Sequence, residues 1–112
     1  MKKIEAIVRP SKADEVKRAL EKAGYPSLTI TEVKGRGHQR GIKQVLRGKA
    51  YVVDMLLKVK VEVTIQDEKV DEVVGIIHQS AHTGNIGDGK IFVIPVEKVV
   101  RIRTGEVDCY AV

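Results

Sequence analysis

The chain has 112 residues, 43% of them apolar and 31% charged, with a formal net charge of +5. That size gives one domain, 1–112, with a modest core, and small domains of this kind gain stability by association. The mix excludes a disordered polymer, and there is neither an apolar run of about 18 residues for a membrane helix nor a secretory leader. A single cysteine, Cys109, excludes an internal disulfide framework and fits a reducing cytoplasm.

Ile4 to Arg9 is short, β-prone and alternating, and Pro10 closes it. Ser11, with Asp14 three residues on, predicts a capped helix start. Ala13, Val16, Ala19, Leu20 and Ala23 then share one helical face, up to a stop at Gly24. Leu28 to Lys34, rich in threonine and aliphatics, predicts a second strand.

From Gly35 to about Asp54 the pattern changes. Gly35, Gly37, Gly41 and Gly48 interrupt a polar run without a clean period. From Arg36 to Asp54 there are five basic residues (Arg36, Arg40, Lys43, Arg47, Lys49) against the single acid Asp54, a local +4. A loop of this length within a compact domain is usually functional, and this one reads as an exposed basic arm suited to anionic ligands or acidic partners.

Lys58 to Gln66 is the clearest strand, with Val59, Val61, Val63 and Ile65 on one face and Lys58, Lys60, Glu62 and Thr64 on the other. Asp67 is placed to cap a helix carrying the stripe Val70, Val73, Val74 and Ile77, which Thr83 and Gly84 end. A glycine-rich turn, Gly84 to Gly89, leads into the strand Ile91 to Val96. Val99 to Arg103 reads as a last extended piece before a polar tail. Strand, helix, strand, long loop, strand, helix, strand makes two β-α-β halves. This is the α+β, ferredoxin-like double β-α-β sandwich, an antiparallel sheet with both helices on one face. Its other face must be wetted or covered by another subunit, and a last strand apolar on both sides favours an oligomer.

Three constellations could carry chemistry. Gly84-Asn85-Ile86-Gly87-Asp88-Gly89-Lys90 nearly spells a phosphate loop, but Ile91 replaces the magnesium-binding Ser/Thr and the order is helix-loop-strand. The composition still favours an anion, since glycines let backbone N–H groups converge and Lys90 adds a charge. Arg101 and Arg103, two apart in an extended segment, would point the same way and suit phosphate oxygens. Lys58, at the base of the long loop, could grip a carboxylate. His78 and His82 have the four-residue spacing of a zinc pair but no third ligand. No Ser-His-Asp or Cys-His grouping supports nucleophilic catalysis, so the chain does not read as an enzyme.

The segment Thr29 to Gly37, then Gln39, resembles the start of the T-loop in PII signal-transduction proteins. Thr83 to Phe92 resembles that family's B-loop signature, and Val100 to Gly105 its C-terminal segment. The similarity spans the chain, with a T-loop at about 36–54, a B-loop at about 82–90 and a C-terminal segment at about 99–112. It implies a cytoplasmic homotrimer with nucleotide sites for ATP or ADP between neighbouring subunits. Gly87, Asp88, Gly89 and Lys90 would hold phosphates, and Arg101, Arg103 and Thr29 would approach from the next subunit. Ile7, Gly35, Glu62 and Thr64 would surround the adenosine, with Gly37 and His38 nearby. With ATP bound, Gln39 would help ligate Mg²⁺, on which 2-oxoglutarate chelates, and Gly37, Gly41, Gly87 and Lys58 would complete the effector site.

The family's T-loops plug ammonium transporters or engage nitrogen-assimilation enzymes such as glutamine synthetase. The resemblance therefore implies recruitment to a membrane only through a transporter, with Arg47 reaching into its pore. A nitrogenase-regulating paralogue is the alternative within the family. Tyr51 matches a position nucleotidylated in some branches, but its neighbourhood Leu46-Arg47-Gly48-Lys49-Ala50 departs from the usual Tyr-Arg-Gly-Ala-Glu. Lys49 replaces a serine phosphorylated in another branch, and His38 stands where many members carry arginine. An RNA-binding ferredoxin-like module would need aromatic platforms. Tyr25, Tyr51, Phe92 and Tyr110 form no such pattern, so nucleic acid is not an expected partner.

Overall fold

The computed structural model describes residues 1–36, 42–46, 49–53 and 55–112, and for 42–53 it is the backbone that is described. The elements are β1 (Lys2–Val8), α1 (Ala13–Lys22), β2 (Thr29–Gly35), β3 (Ile42–Leu46), β4 (Lys49–Val53), β5 (Leu56–Ile65), α2 (Val70–Ala81) and β6 (Lys90–Pro95). Strands β2, β5, β1 and β6 lie in that order in one sheet, and every pairing is antiparallel. This is the ferredoxin-like double β-α-β arrangement. Among the described residues no helix is long and apolar enough to cross a membrane.

The period-two alternation does what it predicts. Ile4, Ala6 and Val8 of β1 and Val59, Val61, Val63 and Ile65 of β5 are buried against Val16 and Leu20 of α1 and Val73, Ile77 and Ala81 of α2. Ala23, expected on the buried face of α1, is exposed, because the helix ends at Lys22 and Gly24, at φ +96°, turns the chain away.

Both expected side-chain caps are absent. Pro10 starts a 3-10 turn, Pro10–Lys12, which leads into α1 and places Ser11 inside the turn rather than at the helix cap. Asp67 likewise lies in a 3-10 turn, Asp67–Lys69, and its carboxylate takes the Met1 ammonium at 2.8 Å instead.

The long segment between β2 and β5 contains regular structure. β3 and β4 form a two-stranded antiparallel ladder that pairs Ile42 with Val53 and Gln44 with Tyr51. Gly37, His38, Gln39, Gly41 and Arg47 lie outside the described residues, as do the contacts of the Tyr51 side chain.

The C-terminal segment is also more folded than expected. The chain does not run extended to Arg103. It turns back on itself, with Val100 bridged to Val107, the Arg101 N–H donating to Glu106 O at 2.8 Å, and the Gly105 N–H donating to Arg101 O at 2.7 Å. Gly105, at φ +73°, supplies the left-handed residue of this hairpin.

On the sheet face away from the helices, the register aligns Lys3, Glu5 and Ile7 of β1 with Lys60, Glu62 and Thr64 of β5, and Phe92 and Ile94 of β6 on the other side. Glu5 and Glu62 stand directly opposite one another. Like charges so placed repel. Here diagonal lysines compensate: Lys3 Nζ lies 3.0 Å from Glu62, and Lys60 Nζ lies 3.6 Å from Glu5 and 3.8 Å from Glu62.

Candidate functional site: a glycine loop at the end of the central strand

After α2 the chain leaves the helix at His82 in extended conformation and forms a loop back to β6. Gly84, Gly87 and Gly89 all have positive φ. At Gly89 the reason is contact as well as conformation. A Cβ there would lie 1.7 Å from the carbonyl oxygen of Ile7, so the loop backbone rests directly on the backbone of β1.

Asp88 organises the loop. Its carboxylate accepts the N–H groups of Thr83 and Gly84, each at 2.9 Å, the Thr83 hydroxyl, and the Arg9 Nε–H at 3.0 Å. The Thr83 hydroxyl and N–H, with the Gly84 N–H and Arg9, hold this carboxyl well below the usual carboxylate range, against a smaller opposing effect of burial. An acceptor-only group so occupied repels phosphate, so what Asp88 can offer an anion is its backbone N–H. Among the described residues, no hydrogen bond of the loop uses the N–H of Gly87, Asp88 or Gly89.

Three cations border this backbone. Lys58 reaches in from β5 and donates from Nζ to the Gly87 carbonyl at 2.7 Å, with only 8% of the residue exposed. Burial, and then the charge of Arg9, push its ammonium down from the ordinary lysine value, while Asp88 pulls it back. Arg9 donates to the carbonyls of Ile86 at 2.8 Å and Asn85 at 3.5 Å. Lys90 opens β6 opposite Ile7, exposed to solvent.

The structure thus brings together Ile7, Lys58, Gly87, Asp88, Gly89 and Lys90. Thr29 stands across the β2–β5 pairing from Glu62, and Gly35 opposite Leu56, further along the same sheet. The arginine pair is not side by side on a strand. Arg101 sits on the C-terminal hairpin with Glu106 at 3.3 Å, and Arg103 lies in its turn. Among the described residues, no hydrogen bond or ion pair joins either arginine to the loop.

Arg9 is the residue that sequence reasoning missed. The available signal was a charged side chain ending an apolar-alternating strand, on the same side as Ile7, directly before a proline. Its partners lie 76–79 residues away, beyond any local pattern. His78 and His82 lie with ring centroids 5.2 Å apart, and among the described residues no third metal-ligating side chain joins them.

The chain is thus a small ferredoxin-like domain with a glycine-built, cation-bordered backbone loop at the end of its central strand. The sequence model of the family described as "Nitrogen regulatory protein P-II" matches residues 1–106. Among curated proteins, the nitrogen regulatory protein P-II of Azospirillum brasilense is 59% identical over 106 residues, covering 95% of each chain. Nitrogen regulatory protein P-II 2 of Methanothermobacter thermautotrophicus is 58% identical over 106 residues, 95% of this chain and 92% of its own. The Mesorhizobium japonicum nitrogen regulatory protein P-II is 55% identical over all 112 residues of both chains. The chain belongs to the P-II nitrogen regulatory protein family.

Proposed function

We propose that this protein is a cytoplasmic homotrimeric sensor that binds ATP or ADP at the Gly84–Lys90 loop. With Mg-ATP bound it also takes up 2-oxoglutarate and thereby regulates an ammonium transporter or a nitrogen-assimilation enzyme. The observation that carries the reading is the loop itself. Gly87 and Gly89 at positive φ leave a stretch of backbone whose N–H groups no described bond uses, bordered by Lys58, Arg9 and Lys90. Such a nest favours a polyanion. Among the described residues Lys58 holds only a neutral carbonyl there, so a carboxylate offers it a better partner.

Among the described residues no three metal-ligating side chains converge. A Mg²⁺ would accordingly draw its ligands from the phosphates, the dicarboxylate and Gln39. The metal would neutralise phosphate charge and bridge it to the effector. Arg101 and Arg103, for which the described residues show no hydrogen bond or ion pair to their own loop, would serve a neighbouring subunit's site. The face carrying Lys3, Glu5, Lys60 and Glu62 pairs its opposite charges across strands and so suits packing against other copies.

Nucleotide and effector then bind with mutual favour, a coupling of about 1–3 kcal/mol, or roughly 5–150-fold in affinity. The segment between β2 and β5 would report the state to the partner. The test is calorimetric titration of 2-oxoglutarate in the presence of Mg-ATP and again with Mg-ADP. Binding with Mg-ATP alone is expected. Equal binding with both removes the switch, and the absence of nucleotide binding removes the function.

A further inference from the structure

Three parts of the Gly84–Lys90 loop converge on one side chain. The Arg9 guanidinium holds Asp88 through Nε at 3.0 Å and the Ile86 carbonyl through Nη2 at 2.8 Å. It also lies against Gly87, where a Cβ would come within 3.2 Å of its nitrogen. Asp88 passes the restraint on to the N–H groups of Thr83 and Gly84, where the chain leaves α2. The planar fork suits this task, because it reaches a carboxylate and a carbonyl at once, as a lysine's point charge does not. Pro10 fixes the backbone immediately after it.

We propose that Arg9 is a positioning residue which, through Asp88 and the Ile86 carbonyl, sets the shape of the loop on which anion binding depends. What the loop binds rests on the nucleotide reading above; the shaping of the loop does not. A direct role for Arg9 as an anion ligand is the alternative that the experiment separates.

The test is a double-mutant cycle of Arg9→Gln and Asp88→Asn, with Arg9→Lys as the charge-retaining variant. It is read by amide hydrogen exchange in the ligand-free protein and by titration of Mg-ATP. Arg9→Gln is expected to speed exchange at Thr83 and Gly84 about tenfold beyond any change at the core amides of Ile4 and Val61. It is also expected to weaken Mg-ATP about tenfold, the scale of one charge-assisted hydrogen bond. Asp88→Asn should act similarly, and the double variant should be no worse than the poorer single one. Arg9→Lys should recover only part of either loss. Unchanged exchange at Thr83 and Gly84 in Arg9→Gln overturns the proposal. So do additive losses in the double variant, which would make Arg9 a direct ligand. If the unmutated protein binds no Mg-ATP while the exchange pattern of the cycle holds, the nucleotide reading falls and the positioning role stands.

Discussion

The Lys58 ammonium lies 2.7 Å from the carbonyl oxygen of Gly87, tying β5 to the loop that precedes β6. Among the described residues a nearly buried cation is thereby satisfied by a dipole and not by a full negative charge, and its pKa is lowered, with burial the main cause. An arriving carboxylate would supply the missing charge to a lysine already largely removed from solvent.

Replacement of this lysine by Lys58→Met should therefore separate the two ligands. Mg-ATP affinity is expected to stay within a few-fold, while 2-oxoglutarate affinity falls about 10–100-fold, the scale of one charge-assisted hydrogen bond. Titration of both ligands against both proteins checks this. Undiminished 2-oxoglutarate binding would remove Lys58 from the effector site.

Gly89 and Gly24 form a matched pair for testing backbone contact. Both have strongly positive φ, +99° and +96°, but a Cβ at Gly24 meets nothing within 4 Å, whereas at Gly89 it meets the Ile7 carbonyl at 1.7 Å. Gly24→Ala should cost about 1 kcal/mol, from conformation alone. Gly89→Ala should cost about 3 kcal/mol, because two stretches of backbone must separate. Denaturant unfolding of the two variants would measure the gap, and equal losses would contradict the contact.

The charged sheet face predicts an acid response. The hydrogen bond from Lys3, with the charges of Lys3 and Lys60, holds Glu62 below its ordinary value against an opposing effect of burial. Its folded-state pKa is thus the lower one. The stability it contributes is present above the unfolded value of about 4.5 and is lost as pH falls through the folded value. Lys3→Met should lower the melting temperature by a few degrees at pH 7, and its curve should converge on that of the unmutated protein in acid. A constant gap at every pH would assign the loss to packing.

Tyr25 predicts the opposite sign at the alkaline end. Its hydroxyl donates to the Glu72 carboxylate, joining the loop after α1 to the first turn of α2. That hydrogen bond first, then burial and the charge of Glu72, push the phenol up to about 12. A raised folded-state pKa gives stability that is complete below the ordinary value of 10 and drains away between about 10 and 12. Tyr25→Phe should cost about 0.5–1.5 kcal/mol at pH 8. The difference from the unmutated protein should close across that window in unfolding titrations.

What the sequence disclosed follows physical range. Val59, Val61, Val63 and Ile65 announce β5 because alternation is a local signal, and the helices are visible in their apolar faces. The β3–β4 ladder was hidden because Gly41, Gly48 and the scattered basic residues break the alternation around it. The absent helix caps were misread because Ser11 and Asp67 have the right chemistry but fall within 3-10 turns. The C-terminal hairpin could have been read from Thr104-Gly105, a turn pair, had the two arginines not argued for a strand. Of the site, Gly87, Gly89, Lys90 and Lys58 were legible as types of residue. Arg9 was not, since its role exists only once β1 and the loop meet.

Gly89 and Ile7 leave no space between loop and strand, so the two share a single boundary. β1 is flanked on both sides, by β5 and by β6. Any push on the loop is therefore delivered to the middle of the sheet rather than to its rim, and from there to both neighbours at once. The loop behaves less like a flap than like a button pressed against a beam.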